Sequence, residues 1–243
     1  MRTIAIIQTR MGSSRLPGKV LRDLAGDTML ARVVQRVRAA RSISQVVIAT
    51  TTADIDDAVV REAARLGCGI YRGPETDVLA RYHGAARAFD ADCVVRMTSD
   101  CPLLDPAVID AVVSALGPDL DYVSNTHHRS YPRGLDVEAF HRDTLERVAR
   151  LATSEAAREH VTAYLMERPD LFVTRQVQAA HDDSDLRWTV DAPDDLALVR
   201  TLYDLLDLGN DHRPYREVVQ VVRARPELTA INAHVVQKGP RVA

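Results

Sequence analysis

The chain has 243 residues, of which 46% are hydrophobic, and its 31 basic and 34 acidic side chains give a formal net charge of −3 at pH 7. This length can bury one large α/β core, and the balanced charge gives no reason to expect a nucleic-acid or membrane partner. The three cysteines lack the spacing of a metal site and favour a reducing compartment. Without a long apolar run or a signal-peptide pattern, we expect a cytoplasmic protein.

The first half of the chain alternates short apolar runs with helical patterns. The run over residues 3–8 predicts a strand buried on both faces, and helical spacing follows from Met29 to Val37 after an N-cap at Asp27 or Thr28. The same alternation predicts strands near 46–49, 70–71 and 92–97, and helices over 54–66, 76–89 and 108–116. Strands joined by helical crossovers predict an open, mostly parallel, Rossmann-like α/β sheet with helices on both faces.

The alternation stops after Asp121, and residues from about 125 to 180 are predicted to be a hairpin and helical insertion within a single domain over 1–243. This segment has a period-2 pattern over 135–140, helical patterns over 142–151 and 154–167, and a strand pattern over 171–177. Beyond it we expect a strand over 186–190 that ends at Asp191, a helix that begins at Pro193, and terminal helices over 215–222 and 226–235.

The loop from Arg10 to Lys19 follows the first strand and contains three cations, two glycines and two serines. Such a loop can direct backbone N–H groups and positive charges toward an anion. All basic residues except Lys19 and Lys238 are arginine, which indicates that a compact ammonium is needed at position 19; the alternative is a solvated lysine without a role. Val20 stands where a P-loop needs serine or threonine, and G-x-G-x-x-G is absent, so neither a P-loop nor a dinucleotide site fits.

Asp100 and Asp191 each follow a predicted strand, and the carboxyl ends of parallel strands meet at one edge of a sheet, where ligands bind. Two carboxylates together with substrate phosphates and water can hold Mg²⁺. The structural alternative is that each carboxylate caps the helix that follows it. Beside the cationic loop, the pair favours a metal-dependent transfer reaction at a phosphate.

The string from Gln8 to Lys19, QTRMGSSRLPGK, closely resembles the start of the cytidylyltransferases that make CMP-activated sugar acids, such as CMP-Kdo synthetase. Within that family, the SpsF-like branch of spore coat polysaccharide biosynthesis is the most similar. Further strings of that branch follow in order: ATT at 49–51, YRG at 71–73, DVLARY at 77–82, DCP at 100–102, YPRGLDVE at 131–138, REHVT at 158–162 and RWTVD at 187–191. The resemblance covers roughly residues 3–200 and implies a sheet of the nucleotide-diphospho-sugar transferase type and a homodimer.

The resemblance also implies roles for particular residues. The implied catalytic residues are Arg10, Arg15, Lys19 and Asp100. The three cations would grip the triphosphate and stabilise the leaving pyrophosphate. Asp100 and Asp191 would bind Mg²⁺. The residues near which the nucleoside would lie are Gln8, Gly12, Ser13, Thr50 and Arg81. The implied activity is transfer of CMP from CTP to a sugar acid or similar small acidic acceptor, with release of pyrophosphate.

The acceptor pocket is where this chain departs from the Kdo enzymes. Our hypothesis is that the pocket is lined by Arg133, Asp136, Glu138 and His160, because an arginine suits a carboxylate and acidic side chains suit a polyol; the alternative is a solvated hairpin face and a surface histidine. Trp188 is either a core residue or a substrate platform. Two alternative functions are a GT-A glycosyltransferase, although Asp100 is not part of an Asp-x-Asp motif, and a non-catalytic module that binds a nucleotide-sugar.

Overall fold

A computed structural model describes residues 1–237, so Lys238 lies outside the described residues. The strands are β1 (Thr3–Gln8), β2 (Asp23–Leu24), β3 (Asp27–Thr28), β4 (Gln45–Thr51), β5 (Gly69–Gly73), β6 (Cys93–Thr98), β7 (Tyr122–Ser124), β8 (Glu138–His141) and β9 (Thr174–Gln176). The helices are α1 (Met29–Ala39), α2 (Asp57–Arg65), α3 (Val78–Ala88), α4 (Pro106–Ser114), α5 (Arg142–Leu151), α6 (Glu155–His160), α7 (Ala163–Glu167), α8 (Pro193–Leu206), α9 (Tyr215–Arg223) and α10 (Pro226–Ala230).

Seven strands form one open sheet in the order β5-β4-β1-β6-β8-β7-β9, and β2 pairs with β3 in a separate ribbon. The neighbours β5, β4, β1 and β6 are parallel, β8 is antiparallel to both β6 and β7, and β9 is parallel to β7. The predicted mostly parallel α/β sheet is confirmed.

The central strand β1 is buried on both faces, as its unbroken apolar run predicts. Its side chains alternate between two hydrophobic cores. Ala5 and Ile7 belong to a core that includes residues of α1, α4 and α8. Ile4 and Ile6 belong to a second core that includes residues of α3 and α5. Helices therefore cover both faces of the sheet, as predicted.

Most predicted elements exist, but three differ from the sequence pattern. Residues 186–190 do not join the sheet: Trp188 N–H donates to Arg133 O (2.7 Å) and Val190 N–H donates to Asp100 O (2.8 Å), so these amides are bonded to loops rather than to a strand. The helix predicted over 154–167 is split into α6 and α7 at Val161, where φ is +56°. The last helix ends at Ala230 instead of continuing to residue 235.

The segment from 125 to 180 supplies β8 and β9 to the main sheet, and α5, α6 and α7 contribute to the second core. Its proposed part in acceptor binding and in dimer formation stays a prediction. Across residues 1–237, we find no helix with both the length and the apolar character to cross a membrane.

Candidate active site

A cleft of about 520 Å³ opens where β1 and β6 end. One wall is the loop over residues 9–20, and the other is formed by residues 75–81 with Glu159 and His160 of α6. The floor carries Gln8 and Thr98, which are paired neighbours in the sheet. The cleft therefore lies at the sheet edge that the strand order predicts.

Lys19 connects the loop to two carboxylates that also line the cleft. Its Nζ donates hydrogen bonds to Asp100 Oδ2 (3.0 Å), Asp191 Oδ1 (3.0 Å) and the Val190 carbonyl (2.6 Å). Arg15 adds a second cation, with Nη2 at 3.0 Å from Asp191 Oδ2. The structure thus brings two predicted phosphate-binding cations, Arg15 and Lys19, together with the two predicted metal ligands in one charge cluster.

The loop is folded so that Lys19 can reach the two carboxylates. Gly18 has φ +67°, a left-handed conformation that favours glycine, and its N–H donates to Met11 O at 3.0 Å. The N–H of Met11 donates in turn to Asp56 Oδ1 at 2.7 Å, and Asp56 is 1% exposed. Asp56 therefore anchors the loop to the start of α2. The sequence did not predict this role, because Asp56 is one of several acidic residues in a short stretch.

Burial and charge act in opposite directions on this cluster. Burial alone would lower the pKa of Lys19, but the carboxylates of Asp100 and Asp191 raise it above its ordinary value. For Asp100, burial would raise the pKa, and the Lys19 ammonium and the Thr98 hydroxyl (2.6 Å from Oδ1) lower it below its usual range. Both groups are therefore charged at neutral pH.

Neither aspartate caps the helix that follows it. At α4 the capping carboxylate is Asp105, which accepts from Ala107 N–H at 2.7 Å. At α8 it is Asp195, which accepts from Ala192 N–H at 2.9 Å. Asp191 is instead shared by Lys19, Arg15 and Arg187, the last at 2.9 Å. Both predicted metal ligands are thus directed toward cations.

Buried polar atoms without partners are concentrated at the cleft. Within the described part of the chain, eight buried side-chain nitrogen or oxygen atoms lack a hydrogen bond, and the cleft lining contains five of their residues: Gln8, Thr9, Arg81, Arg96 and His160. Such atoms are rare in folded proteins because burying them unpaired costs about 1–3 kcal/mol each. Their concentration here indicates a polar ligand.

The predicted nucleoside-binding residues are only partly brought together. Gln8, Gly12, Ser13 and Arg81 line the cleft, whereas Thr50 is fully buried and is not part of the lining. Arg81 is 2% exposed, donates to Pro74 O at 2.8 Å and leaves Nε without a partner in the described residues. Arg10 also lines the cleft and forms an exposed ion pair with Glu75 at 2.7 Å.

Of the four predicted acceptor-binding residues, only His160 lines the cleft. Arg133 lines a separate cavity with Arg187. Asp136 is held by Arg129, whose Nη2 lies 2.9 Å from Oδ2. The carboxylate of Glu138 is 8% exposed and is bonded to Arg96 and Tyr122.

Trp188 is 1% exposed and belongs to the hydrophobic core, so its core interpretation is the one the structure supports. The sequence reasoning missed Arg96 and Thr98 of β6, both of which line the cleft. A signal was present for the first of them, because an arginine interrupts the otherwise apolar run CVVRM of a buried strand.

The fold and the cationic, carboxylate-lined cleft are those of a nucleotidyltransferase. Residues 4–213 match the family model described as cytidylyltransferase. SpsF, a spore coat polysaccharide biosynthesis protein of Bacillus subtilis, is 32% identical over 208 residues, which are 82% of this chain and 85% of SpsF. The chain therefore belongs to the cytidylyltransferase family and is an enzyme of the nucleotidyltransferase class.

Solved structures agree with this assignment. A cytidylyltransferase from Leptospira borgpetersenii superimposes with a TM-score of 0.89 at 29% identity. The match covers 94% of this chain and 97% of the Leptospira chain. A CMP:2-keto-3-deoxy-manno-octonic acid synthetase in complex with CTP gives a TM-score of 0.65 at 21% identity, covering 85% of this chain and all of its own. The similarity to the synthetase is a similarity of fold alone.

Proposed function

We propose that this protein is a Mg²⁺-dependent cytidylyltransferase that transfers CMP from CTP to a sugar acid and releases pyrophosphate. The observation that carries the proposal is the cluster in which Lys19 Nζ lies 3.0 Å from both Asp100 and Asp191 at the edge of the cleft. Cations and carboxylates side by side suit a polyphosphate that arrives with a metal ion. A homodimer is proposed from the family resemblance alone.

The reaction requires little beyond positioning and charge neutralisation. An oxygen of the acceptor attacks the α-phosphorus of CTP, the bond from that phosphorus to the oxygen bridging the β-phosphorus breaks, and pyrophosphate leaves. Arg10, Arg15 and Lys19 line the cleft and are placed to neutralise the charge that accumulates on the leaving group. The backbone amides of Gly12, Ser14 and Arg15, which have no hydrogen-bond partner within residues 1–237, add donors along the same wall.

The two aspartates fit a divalent cation. The Lys19 ammonium shows that one positive group can lie within 3.0 Å of both carboxylates. No cluster of three or more His, Cys, Asp or Glu side chains with metal-binding geometry exists in the part of the chain that the structure covers. Asp100 and Asp191 would therefore hold Mg²⁺ together with substrate phosphates and water, and the ion would neutralise phosphate charge.

The nucleoside is proposed to occupy the part of the cleft near Gln8, Gly12, Ser13 and Arg81. The unpartnered Gln8 Oε1 and Arg81 Nε provide an acceptor and a donor for the edge of a pyrimidine base. His160, whose Nε2 is buried without a partner among the described residues, is proposed to contact a hydroxyl of the acceptor.

The test is pyrophosphate release from CTP with Mg²⁺ and a panel of 2-keto sugar acids that includes 3-deoxy-manno-octulosonate. We expect release that depends on both the metal and one acid of the panel, and that is much slower with ATP, GTP or UTP. Nucleotide-sugar binding without any turnover of a nucleoside triphosphate would contradict the proposal.

A further inference from the structure

A buried charge network lies in the floor of the cleft, next to the cluster around Lys19. Arg96 of β6 is directly paired with Glu138 of β8 in the antiparallel register, so both side chains project from the same face of the sheet. The Arg96 Nη1 forms an ion pair with Glu138 Oε1, and its guanidinium carbon lies 5.8 Å from the centre of the Tyr82 ring. Only 16% of the Arg96 side chain is exposed, and that residue lines the cleft.

Both carboxylate oxygens of Glu138 are bonded to side chains of the protein. Its Oε1 accepts from Arg96 and its Oε2 accepts from the Tyr122 hydroxyl at 2.8 Å. Burial, followed by the charge of Glu138, raises the pKa of Tyr122 well above its ordinary value, so the hydroxyl keeps its proton and donates a hydrogen bond to the carboxylate. Glu138 is therefore a fixed support for Arg96 rather than part of the ligand surface.

Arg96, by contrast, is incompletely bonded. Of its three nitrogens only Nη1 has a hydrogen-bond partner within residues 1–237, and Nε is buried without one. The edge formed by Nε and Nη2 is the edge with which a guanidinium binds a carboxylate through two parallel hydrogen bonds. An arginine whose role is only structural would be expected to use these donors within the protein.

We propose that Arg96 binds the carboxylate of the acceptor and that Glu138 and Tyr122 are positioning residues that hold its guanidinium in place. This inference rests on the proposed function and assigns recognition of the acceptor's carboxylate to a residue outside the segment from 131 to 160. Because Arg96 and Glu138 together carry no net charge, the site suits a monoanion such as a carboxylate better than a dianionic phosphate. The same arrangement gives the enzyme a means of discriminating a sugar acid from its neutral analogue.

The test measures KM for the panel acid that supports turnover, KM for CTP, and the ratio of kcat/KM for that acid to kcat/KM for its C1 primary amide. Arg96→Lys keeps the charge and the pairing with Glu138 but removes the planar fork. We expect the KM of the acid to rise by about 10- to 100-fold and the preference for the acid to fall by a similar factor. The KM for CTP should stay within about 2-fold of the wild-type value.

Two further variants keep the inference falsifiable. Arg96→Gln combined with Glu138→Gln removes both buried charges together, which avoids an unpaired carboxylate, and should abolish the preference for the acid. Tyr122→Phe should weaken that preference by a few-fold without changing the KM for CTP. The matched control is Arg147→Lys. Like Arg96, Arg147 pairs with a carboxylate, that of Asp121 at 2.6 Å, and lies over an aromatic ring, but it is not part of the cleft lining.

The possible failures are distinguishable. Turnover of CTP with an unchanged preference for the acid over the amide in both Arg96 variants would overturn this inference and leave the proposed function intact. The inference would also be overturned, with the proposed function intact, if Arg147→Lys changed the preference for the acid over the amide as much as Arg96→Lys does. No turnover by the wild-type enzyme with any acid of the panel would overturn the proposed function, and this inference with it.

Discussion

Lys19 is the residue on which the site depends most, because its single ammonium satisfies three acceptors from two chain segments. Those acceptors are Asp100 Oδ2, Val190 O and Asp191 Oδ1, at 2.6 to 3.0 Å. A planar guanidinium directs its donors in one plane at a larger radius and cannot converge on three such atoms in the same space. This geometry explains why lysine occurs here in a chain that otherwise uses arginine for all but one of its cations.

Substitution of Lys19 should separate its catalytic role from its structural one. Lys19→Met keeps the aliphatic stem, and we expect turnover to fall by about 10²- to 10³-fold because the positive charge proposed to stabilise the developing charge is lost. The free energy of unfolding should fall by about 1–3 kcal/mol, since Asp100 loses its charged partner. Lys19→Arg should also lose most activity. Activity per folded molecule within 2-fold of wild type in either variant, with folding checked by circular dichroism, would show that the ammonium is not used.

Asp77 shows how a single side chain can join two elements. It caps α3 by accepting from Ala80 N–H at 2.8 Å, and it pairs with Arg158 of α6 at 2.6 Å. Burial opposes ionisation, but Arg158 and the capped amide lower the pKa of Asp77 below its ordinary value. The carboxylate therefore connects α6, which carries His160, to α3 within one wall of the cleft.

The pH dependence of stability tests this connection. Because the folded-state pKa is lowered, the stabilisation is present above the unfolded pKa of about 3.9 and is lost as the pH falls through the folded value. Asp77→Asn should cost about 0.5–1 kcal/mol at pH 7, and the difference from wild type should shrink as the pH falls below the unfolded pKa and through the lowered folded value. Asp77→Ala should cost about 1 kcal/mol more at every pH because the cap is lost too. Urea titrations from pH 3 to 7 measure both, and equal, pH-independent losses in the two variants would contradict the account.

At the scale of elements, the segment 186–191 is placed by close backbone contact rather than by strand pairing. Gly134 has φ +110°, and a Cβ there would lie 2.7 Å from Thr189 N and 2.8 Å from Trp188 C. The glycine thus allows the backbone at 132–135 to approach the extended segment that leads to Asp191.

Gly134→Ala is expected to destabilise the protein by about 2–3 kcal/mol through backbone strain and steric overlap. Gly117→Ala is the matched control, because no atom lies within 4 Å of a Cβ at that position, and it should change stability by less than about 0.5 kcal/mol. Chemical denaturation measures the difference. Equal effects of the two substitutions would mean that the close approach at Gly134 has no energetic importance.

The sequence patterns predict some strands and helices correctly and fail for others. Apolar runs predicted β1 with its observed bounds because burial on both faces leaves an unbroken signal. The strand predicted over 186–190 does not form, since side chains of an extended segment can be buried whether or not its amides pair with a strand. The positive φ at Val161, which splits α6 from α7, has no composition signal because a β-branched residue is not expected there.

Some residues of the candidate site could be predicted from the sequence, and others could not. Arg15, Lys19 and Asp100 follow β1 and β6, and they meet because the topology of a parallel sheet brings the ends of those strands to one edge. Asp191 joins the cluster although the strand predicted before it does not form, because the Val190 N–H is bonded to Asp100 O. Arg133 and Asp136 were chosen for their chemistry alone, and local sequence does not reveal that their side chains lie outside the cleft. Arg96 was missed because its partner Glu138 is 42 residues away and becomes its neighbour only through strand pairing.

At the scale of the whole molecule, the sheet separates two cores and has a polar cleft at its edge, where the cations of the loop are paired with the carboxylates of Asp100 and Asp191. The central claim is that this arrangement directs an acceptor oxygen to the α-phosphorus of CTP. Attack at the β- or γ-phosphorus would give different products from the same substrates, so product identity tests the claim more directly than loss of CTP does.

The decisive measurement is the ³¹P NMR and mass spectrum of the products formed from CTP, Mg²⁺ and a sugar acid whose attacking hydroxyl carries ¹⁸O. We predict equimolar pyrophosphate and one CMP-linked sugar acid, with the ¹⁸O in the bridge between the sugar and phosphorus. Formation of CDP or of a phosphorylated sugar, loss of the label to pyrophosphate, or no product with any acid of the panel would contradict the account.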